Sequence, residues 1–203
     1  MLSATEQDPL ERAAHWELME ALRPEAPRLI FIDESSINTD LTRRRGWAPK
    51  GDRLHGSIPR NTPLAHSIIG ALAPDGLLAA MELEGAIDGI AFAGFVQSFL
   101  VPELYEDDIV ILDNNNTHLN RSALHAIHEA GAHVLFLPAY SPDFNPIEQC
   151  WAKVKALLRK AAARTTRALH RAFRHAVAQI TPENAKGWFE HLGYWVHPTR
   201  ESL

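Results

Sequence analysis

Residues 109–118 read IVILDNNNTH. Four consecutive apolar β-formers run into an acid, and the acid opens a polar turn. A short apolar run without alternation is the mark of a strand buried on both faces of a parallel or mixed sheet. The same pattern stands at 28–33 (RLIFID) and at 133–137 (HVLFL), the latter following Gly131, a helix-closing residue. Between these runs the period changes. In 88–101, Ile90, Phe92, Phe95, Val96, Phe99 and Leu100 share one broad helical face behind an Asp88 cap. Residues 120–130 read as a short helix, and another begins at Pro146. Strands alternating with helices predict an α/β fold, a mixed sheet with helices on its faces.

Working outward, 6–22 carries Leu10, Ala14, Leu18 and Leu22 at helical spacing, and Pro24 and Pro27 end that segment. Residues 43–49 and 64–73 read as second and third strands, with another at 77–83 after the Pro74-Asp75-Gly76 turn. After about Ala163 the chain reads as all helical. Leu169, Phe173, Val177 and Ile180 form a stripe, and Thr181-Pro182 starts a last helix ending near Gly193. The expected division is a helical segment over 1–27, an α/β domain over 28–163, and a helical extension over 164–203 packed on it.

A hydrophobic fraction of 46% supports a buried core. Cys150 is the single cysteine, which excludes an internal disulfide and a cysteine-based zinc site. No apolar run is long enough to span a bilayer, and no export signal opens the chain, so a cytoplasmic protein without membrane contact is expected. The net charge of −5 hides an asymmetry. Residues 1–145 hold 10 Lys/Arg against 21 Asp/Glu, whereas 146–203 hold 10 against 4. Within 151–175 there are eight Lys/Arg and no acid. Such a one-sided segment is the footprint of a phosphate-binding surface, although a solvated helix face has the same composition.

Three acids combine strand logic with chemistry. Asp33 and Asp113 each end an apolar strand, and reactive groups collect beyond the carboxyl ends of strands in open sheets. Glu148 stands in the first turn of the helix after the last strand, where it reaches the same edge. Clustered carboxylates suit Mg²⁺ or Mn²⁺, hard cations that prefer oxygen ligands. Without a cation such a cluster repels itself. Each acid also fits a local role. Asp33 can turn the chain into Ser35-Ser36, and Asp113 can open the asparagine turn. Glu148 completes a capping box with Asn145 at the N-cap and Pro146 at N1, in which its carboxylate would take the Asn145 amide. Glu34 falls on the opposite face of the strand from Asp33 and ranks below it.

The segments FIDESS (31–36), ILDNNNTH (111–118) and LPAYSPDFNPIEQCWAKVK (137–155) resemble the three signature blocks of mariner-type DDE transposases, most closely the bacterial insertion-sequence branch. Thirty-four residues lie between Asp113 and Glu148, a spacing associated with that group. The resemblance implies a ribonuclease-H-like fold. It implies that Asp33, Asp113 and Glu148 are the catalytic and metal-binding acids, holding two Mg²⁺ or Mn²⁺ ions. The implied activity is DNA cleavage at transposon ends, followed by strand transfer of the 3′-hydroxyl into target DNA. Implied partners are transposon-end and target DNA and a second copy of the chain in a homodimer. Relatives carry an N-terminal helix-turn-helix region, for which the 27 residues before the first strand are too few; a separately encoded helix-turn-helix protein would fill that role. Asn115, Asn116 and Thr117 depart from the small residues and serine usual in the family.

Secondary candidates surround the acids. Asn114 would support Asp113 by hydrogen bonding, and His118 would orient a bound water, contact a phosphate, or support the site from behind. Lys155 and Arg159 fall on the Glu148 side of their helix, and Arg43, Arg44 and Arg45 precede Trp47. These five cations are candidate DNA contacts, or else solvated charges. Tyr140 and Ser141 would shape the site. Two other readings stand beside the transposase: a non-catalytic DNA-binding derivative of the same fold, and a simple metal-dependent nuclease.

Overall fold

The computed structural model describes residues 8–43, 45–53, 55–58 and 65–194. Helix α1 (Pro9–Ala21) leads through a 3-10 turn (Arg23–Arg28) into β1 (Leu29–Ile37). Strands β2 (His66–Ala73) and β3 (Gly76–Glu84) form a hairpin whose tight turn uses Gly76 at φ 135°. Helix α2 (Gly89–Phe95), capped by Asp88, continues as a π-turn (Val96–Leu100) and a 3-10 turn at Val101–Glu103. Then follow β4 (Ile109–Leu112), α3 (Arg121–Glu129), β5 (His133–Phe136), α4 (Ile147–Ala161), α5 (Thr166–Val177) and α6 (Pro182–His191). Among the described residues no helix is long and apolar enough to cross a membrane.

The strands form one sheet in the order β3-β2-β1-β4-β5. β1 pairs antiparallel with β2 and parallel with β4, and β5 is parallel to β4. Alternation along the strands divides the core into two layers. Phe31, Ile68, Leu72 and Ile111 face α4, α5 and α6, where they meet Ile147, Trp151, Val154, Leu158, Phe173 and Phe189. Ile30, Ile32, Ile69, Val110 and Leu112 face Phe92, Phe95, Val96, Leu100 and Ile127 on the other side. Gly70 sets the depth of α4: a Cβ there would lie 2.7 Å from Trp151 Cη2, so only a glycine lets the indole lie on the sheet.

Several sequence expectations need correction. The described residues of 43–49, Arg43 and Arg45–Pro49, do not form a strand. Among the described residues Arg43 and Arg45–Pro49 are exposed and unpaired in the sheet, and Trp47 is 99% exposed. Three arginines, a glycine and a proline leave Trp47 as the one large apolar side chain, too little to fasten a strand, and β2 already occupies that edge of β1. Arg44 and Leu64 lie outside the described residues. On α1 the helix forms, but Leu10 and Leu18 are exposed while His15 and Met19 are buried. The winning face is the one that meets Phe144, on which His15 stacks at 4.9 Å. β5 lies at the sheet's edge, so it is partly exposed rather than buried. β1 runs on through Ile37, paired with β2 alone beyond Phe31.

Candidate active site

Register places the first two acids side by side. Phe31 pairs with Ile111 in the parallel ladder, and two residues on from each lie Asp33 and Asp113. Neighbouring strands are about 4.8 Å apart, and equal steps from a paired position keep the same face. That face is the one covered by α4, whose first turn carries Glu148. Asp33, Asp113 and Glu148 line one cleft of about 530 Å³, together with Asn114, Asn115, Leu137, Ser141, Asn145 and others of the 137–145 loop.

The capping-box geometry for Glu148 is not formed. The Asn145 amide donates to Pro142 O at 3.0 Å, and the Asn145 side chain accepts from the Ile147 amide at 3.2 Å. Asn145 thus caps the helix from one side only, and the Glu148 carboxylate is left in the cleft.

Electrostatics make the cluster costly when bare. Burial, then the Glu148 charge, push Asp33 up to about 8, with Glu34 and Asp113 adding to the rise and a backbone hydrogen bond opposing it. Asp113 behaves oppositely. Burial would raise it, but the His118 hydrogen bond and charge outweigh burial and hold it below the usual carboxylate range. His118 Nδ1 lies 2.5 Å from Asp113 Oδ1, and Nε2 lies 2.8 Å from Glu34 Oε1. Burial disfavours its charge, yet these two acceptors prevail and push the imidazole up to about 10. Both ring nitrogens therefore donate. Glu34 does face away from Asp33, as alternation requires, and on that side it anchors His118. His118 is fully buried against Phe92 and does not line the cleft, so contact with a phosphate there is not available to it.

Asn114 lines the cleft, but no hydrogen bond joins it to Asp113 among the described residues. The Asn115 amide supplies that support at 3.1 Å, and the Asn115 side chain accepts from the Thr117 amide to start the turn carrying His118. Asn115 and Thr117 thus build the turn despite departing from the family pattern.

A second supporting contact comes from far away in sequence. Arg12 on α1 donates to Asp143 (2.6 and 3.0 Å) and to Ser141 (2.7 Å), and its guanidinium lies 4.2 Å over the Phe144 ring. Tyr194 donates to Phe144 O at 2.7 Å. The loop before Glu148 is therefore clamped from both ends of the chain, and Tyr140 within it adopts φ 55°. Arg12→Ala is expected to lower stability by about 1–2 kcal/mol, the scale of a charge-assisted hydrogen bond partly open to water. Denaturant midpoints measure this, and a loss under 0.3 kcal/mol shows that the clamp holds nothing.

The remaining candidates lie further out. Lys155 and Arg159 are half-buried on α4, and Arg43 and Arg45 are exposed in the long connection after β1. Within the basic segment, Lys153 is engaged with Gln179 O and the Asn184 side chain, and Arg164 with Thr39 O and Leu41 O. Arg167, Arg171 and Arg174 are exposed on α5.

The signature of the family described as DDE superfamily endonuclease matches residues 28–170. The chain belongs to the DDE superfamily of endonucleases. No curated protein matches it by sequence. Solved structures show how far the family fold extends. The Mos1 transposase paired-end complex with left transposon end superimposes with TM-score 0.74 at 15% identity, over 95% of this chain and 62% of that one. The Mos1 mariner paired-end complex with Mn gives 0.71 at 16% identity, with the same coverage. The catalytic domain of Mos1 mariner transposase gives 0.68 at 13% identity, over 95% of this chain and 91% of that domain. The fold is ribonuclease-H-like, a mixed five-stranded sheet flanked by helices. This DDE-superfamily chain spans about 62% of the transposase chains in those DNA complexes and nearly the whole of the separate catalytic domain.

The donor set fits divalent cations. Three carboxylates converge on one cleft with no cationic side chain among its lining residues, and one of them is held largely neutral near pH 7 by the others and by burial. The folded protein keeps a proton on Asp33 between about 4 and about 8, while the unfolded chain has released it. Stability in chelator therefore falls as pH rises through that window, and Asp33→Asn should flatten the fall. At pH 8 in chelator the variant is expected to be the more stable by on the order of 2 kcal/mol. Urea denaturation at several pH values measures it, and parallel slopes for the two proteins overturn the expectation.

Proposed function

We propose that this chain is the catalytic part of a mariner-type transposase of the bacterial insertion-sequence branch. It cleaves DNA at transposon ends and transfers the 3′-hydroxyl into target DNA. The observation that carries this reading is the convergence of Asp33, Asp113 and Glu148 on one cleft within a DDE-family fold. Asp33, Asp113 and Glu148 would hold Mg²⁺ or Mn²⁺, two ions in the full site. Bound there, such ions activate an attacking oxygen and neutralise charge on the leaving one. The chain's own residues hold and orient: His118, tied to Glu34, fixes Asp113, and the clamped 137–145 loop presents Glu148. No protein nucleophile is required. The Mn and Mg complexes of Mos1 support the choice of cation, and its transposon-end complexes support DNA as the partner.

Lys155 and Arg159 would hold the DNA backbone along α4, and Arg43, Arg44 and Arg45 would contact it from the connection after β1. Residues 28–163 act as the catalytic domain and 164–203 as its helical extension, with 1–27 supplying the Arg12 clamp. End recognition falls to a helix-turn-helix module, separately encoded or joined in a longer chain, and a homodimer pairs the two ends. A cytoplasmic protein associated with the nucleoid follows from these partners.

The test is nicking of supercoiled plasmid in Mn²⁺ or Mg²⁺, together with joining of a 3′-hydroxyl oligonucleotide to that plasmid. Both activities are expected. Nicking without joining indicates the simple nuclease, and neither activity with either cation indicates the non-catalytic derivative.

A further inference from the structure

A second group of metal-ligating side chains stands apart from the acid cleft. On the α4–α5–α6 face of the hairpin, His66 of β2 lies directly across from Glu84 of β3, and Glu82 pairs with Ile68 two positions along. His170 reaches them from α5. None of the four lines the cleft. The pairing of His66 with Ile37 lies four residues along the β1–β2 ladder from the pairing of Asp33 with Gly70.

The arrangement is poorly satisfied as it stands. His66 is 1% exposed and the Glu82 side chain 5%. His66 Nδ1 and Glu82 Oε1 are 3.2 Å apart, yet both are buried and neither has a hydrogen-bond partner. Two polar atoms that face each other without an aligned proton lose their hydration and gain no bond. The other Glu82 oxygen lies 2.8 Å from His170 Nδ1. One carboxylate thus straddles two imidazoles whose rings stand 5.6 Å apart at 82°. His66, Glu84 and His170 can each offer a donor atom, all within 4.8 Å of one another.

These distances have a chemical meaning. Zn²⁺ binds imidazole nitrogen and carboxylate oxygen at about 2.0–2.2 Å, so tetrahedral donors sit about 3.3 Å from each other. The donor atoms of His66, Glu84 and His170 lie within 4.8 Å of one another, so side-chain rotations would close these three around one ion. Imidazoles select borderline first-row cations over Mg²⁺ and Ca²⁺, which take oxygen donors. We infer that His66, Glu84 and His170 form a zinc site that fastens α5 to the β2–β3 hairpin, with the Glu82 carboxylate holding both imidazoles. The three ligands come from a helix and a hairpin that the ion would tie together, and Glu82 orients the two imidazoles from beside them. The position of the site gives it a use: α5 carries the exposed Arg167, Arg171 and Arg174, and the ion holds that basic face fixed against the sheet. Glu84 is exposed, so the ion enters from solvent on its side.

The test separates this site from the acid cleft by using Asp113→Asn as the background. Calorimetric titration with Zn²⁺ is expected to show one retained equivalent, and Zn²⁺ should raise Tm where equal Mg²⁺ does not. Adding His170→Ala or Glu84→Gln should weaken that equivalent about tenfold or more and remove the Tm shift. Both residues are at least partly exposed, and circular dichroism verifies that each variant is folded. No zinc equivalent in the background protein, or unchanged affinity in either added variant, overturns the assignment. Those results would reduce the cluster to a hydrogen-bonded Glu82–His170 pair beside a buried histidine.

Discussion

Replacing Asp113 with asparagine is expected to lower metal-dependent nicking by on the order of 10³-fold while leaving the protein folded. The substitution is chosen for what it preserves. Asparagine keeps the side-chain oxygen that accepts from His118 Nδ1 and from the Asn115 amide, so the turn after β4 stays built. It removes the negative charge from an acid that His118 holds below the usual carboxylate range, so that it is ionised at neutral pH even in the bare site. Asp33 needs a cation to ionise fully, whereas Asp113 offers its charge beforehand because His118 and Glu34 stand behind it. Asp113 therefore offers an arriving ion a charge already in place, which Asp33 beside it does not replace. Alanine would confuse the result, since a charged, buried imidazole would lose its closer partner and stability would fall with activity. Single-turnover nicking with a matched Tm is the measurement. Activity within tenfold of wild type, at unchanged stability, would remove Asp113 from the proposed centre.

The positions of Asp33 and Asp113 were legible because each ends a run whose apolar pattern declares a buried strand. Two such strands in a parallel pair, matched in register, align whatever follows them. Glu148 was ambiguous for a physical reason: helix capping and cleft placement favour the same residue in the same first turn. Only the route of the Asn145 amide, taken by Pro142 O, separates them. The supports of the site left no local trace. Glu34 and His118 are 84 residues apart, and Arg12 and Asp143 are 131 apart, so no window of sequence contains either pair. The buried face of α1 is not legible locally, because helical period identifies a stripe but not what it meets; the partner, Phe144, arrives from the far end of the fold. At 43–49 one tryptophan among arginines imitated a strand, but no free sheet edge exists there to pair with it.

Truncating Trp151 to alanine should cost about 3–5 kcal/mol, as for other buried large aromatics, and lower Tm by roughly 10 °C or more. Trp151 is 1% exposed, and among the described residues it is the largest fully buried side chain. It carries α4 on the sheet, with its ring tip over Gly70 in the middle of β2. On the sheet side a glycine faces the gap left by alanine and brings no side chain to fill it. Closure would require α4 itself to sink towards β2. Glu148 lies three residues earlier on that helix, so the same movement that heals the cavity displaces the third acid. Nicking should then fall about tenfold even at temperatures where the variant is fully folded, a deficit that stability alone does not produce. The reciprocal change sharpens the argument. Gly70→Ala should cost about 1–3 kcal/mol by forcing the indole outward. Combining it with Trp151→Leu should cost less than the two changes summed, because each removes the other's conflict. A Trp151→Ala loss below 1 kcal/mol, or additive costs in the double variant, would show that α4 is positioned by its other contacts. The depth of Glu148 in the cleft would then depend on Ile147, Val154 and Leu158 instead.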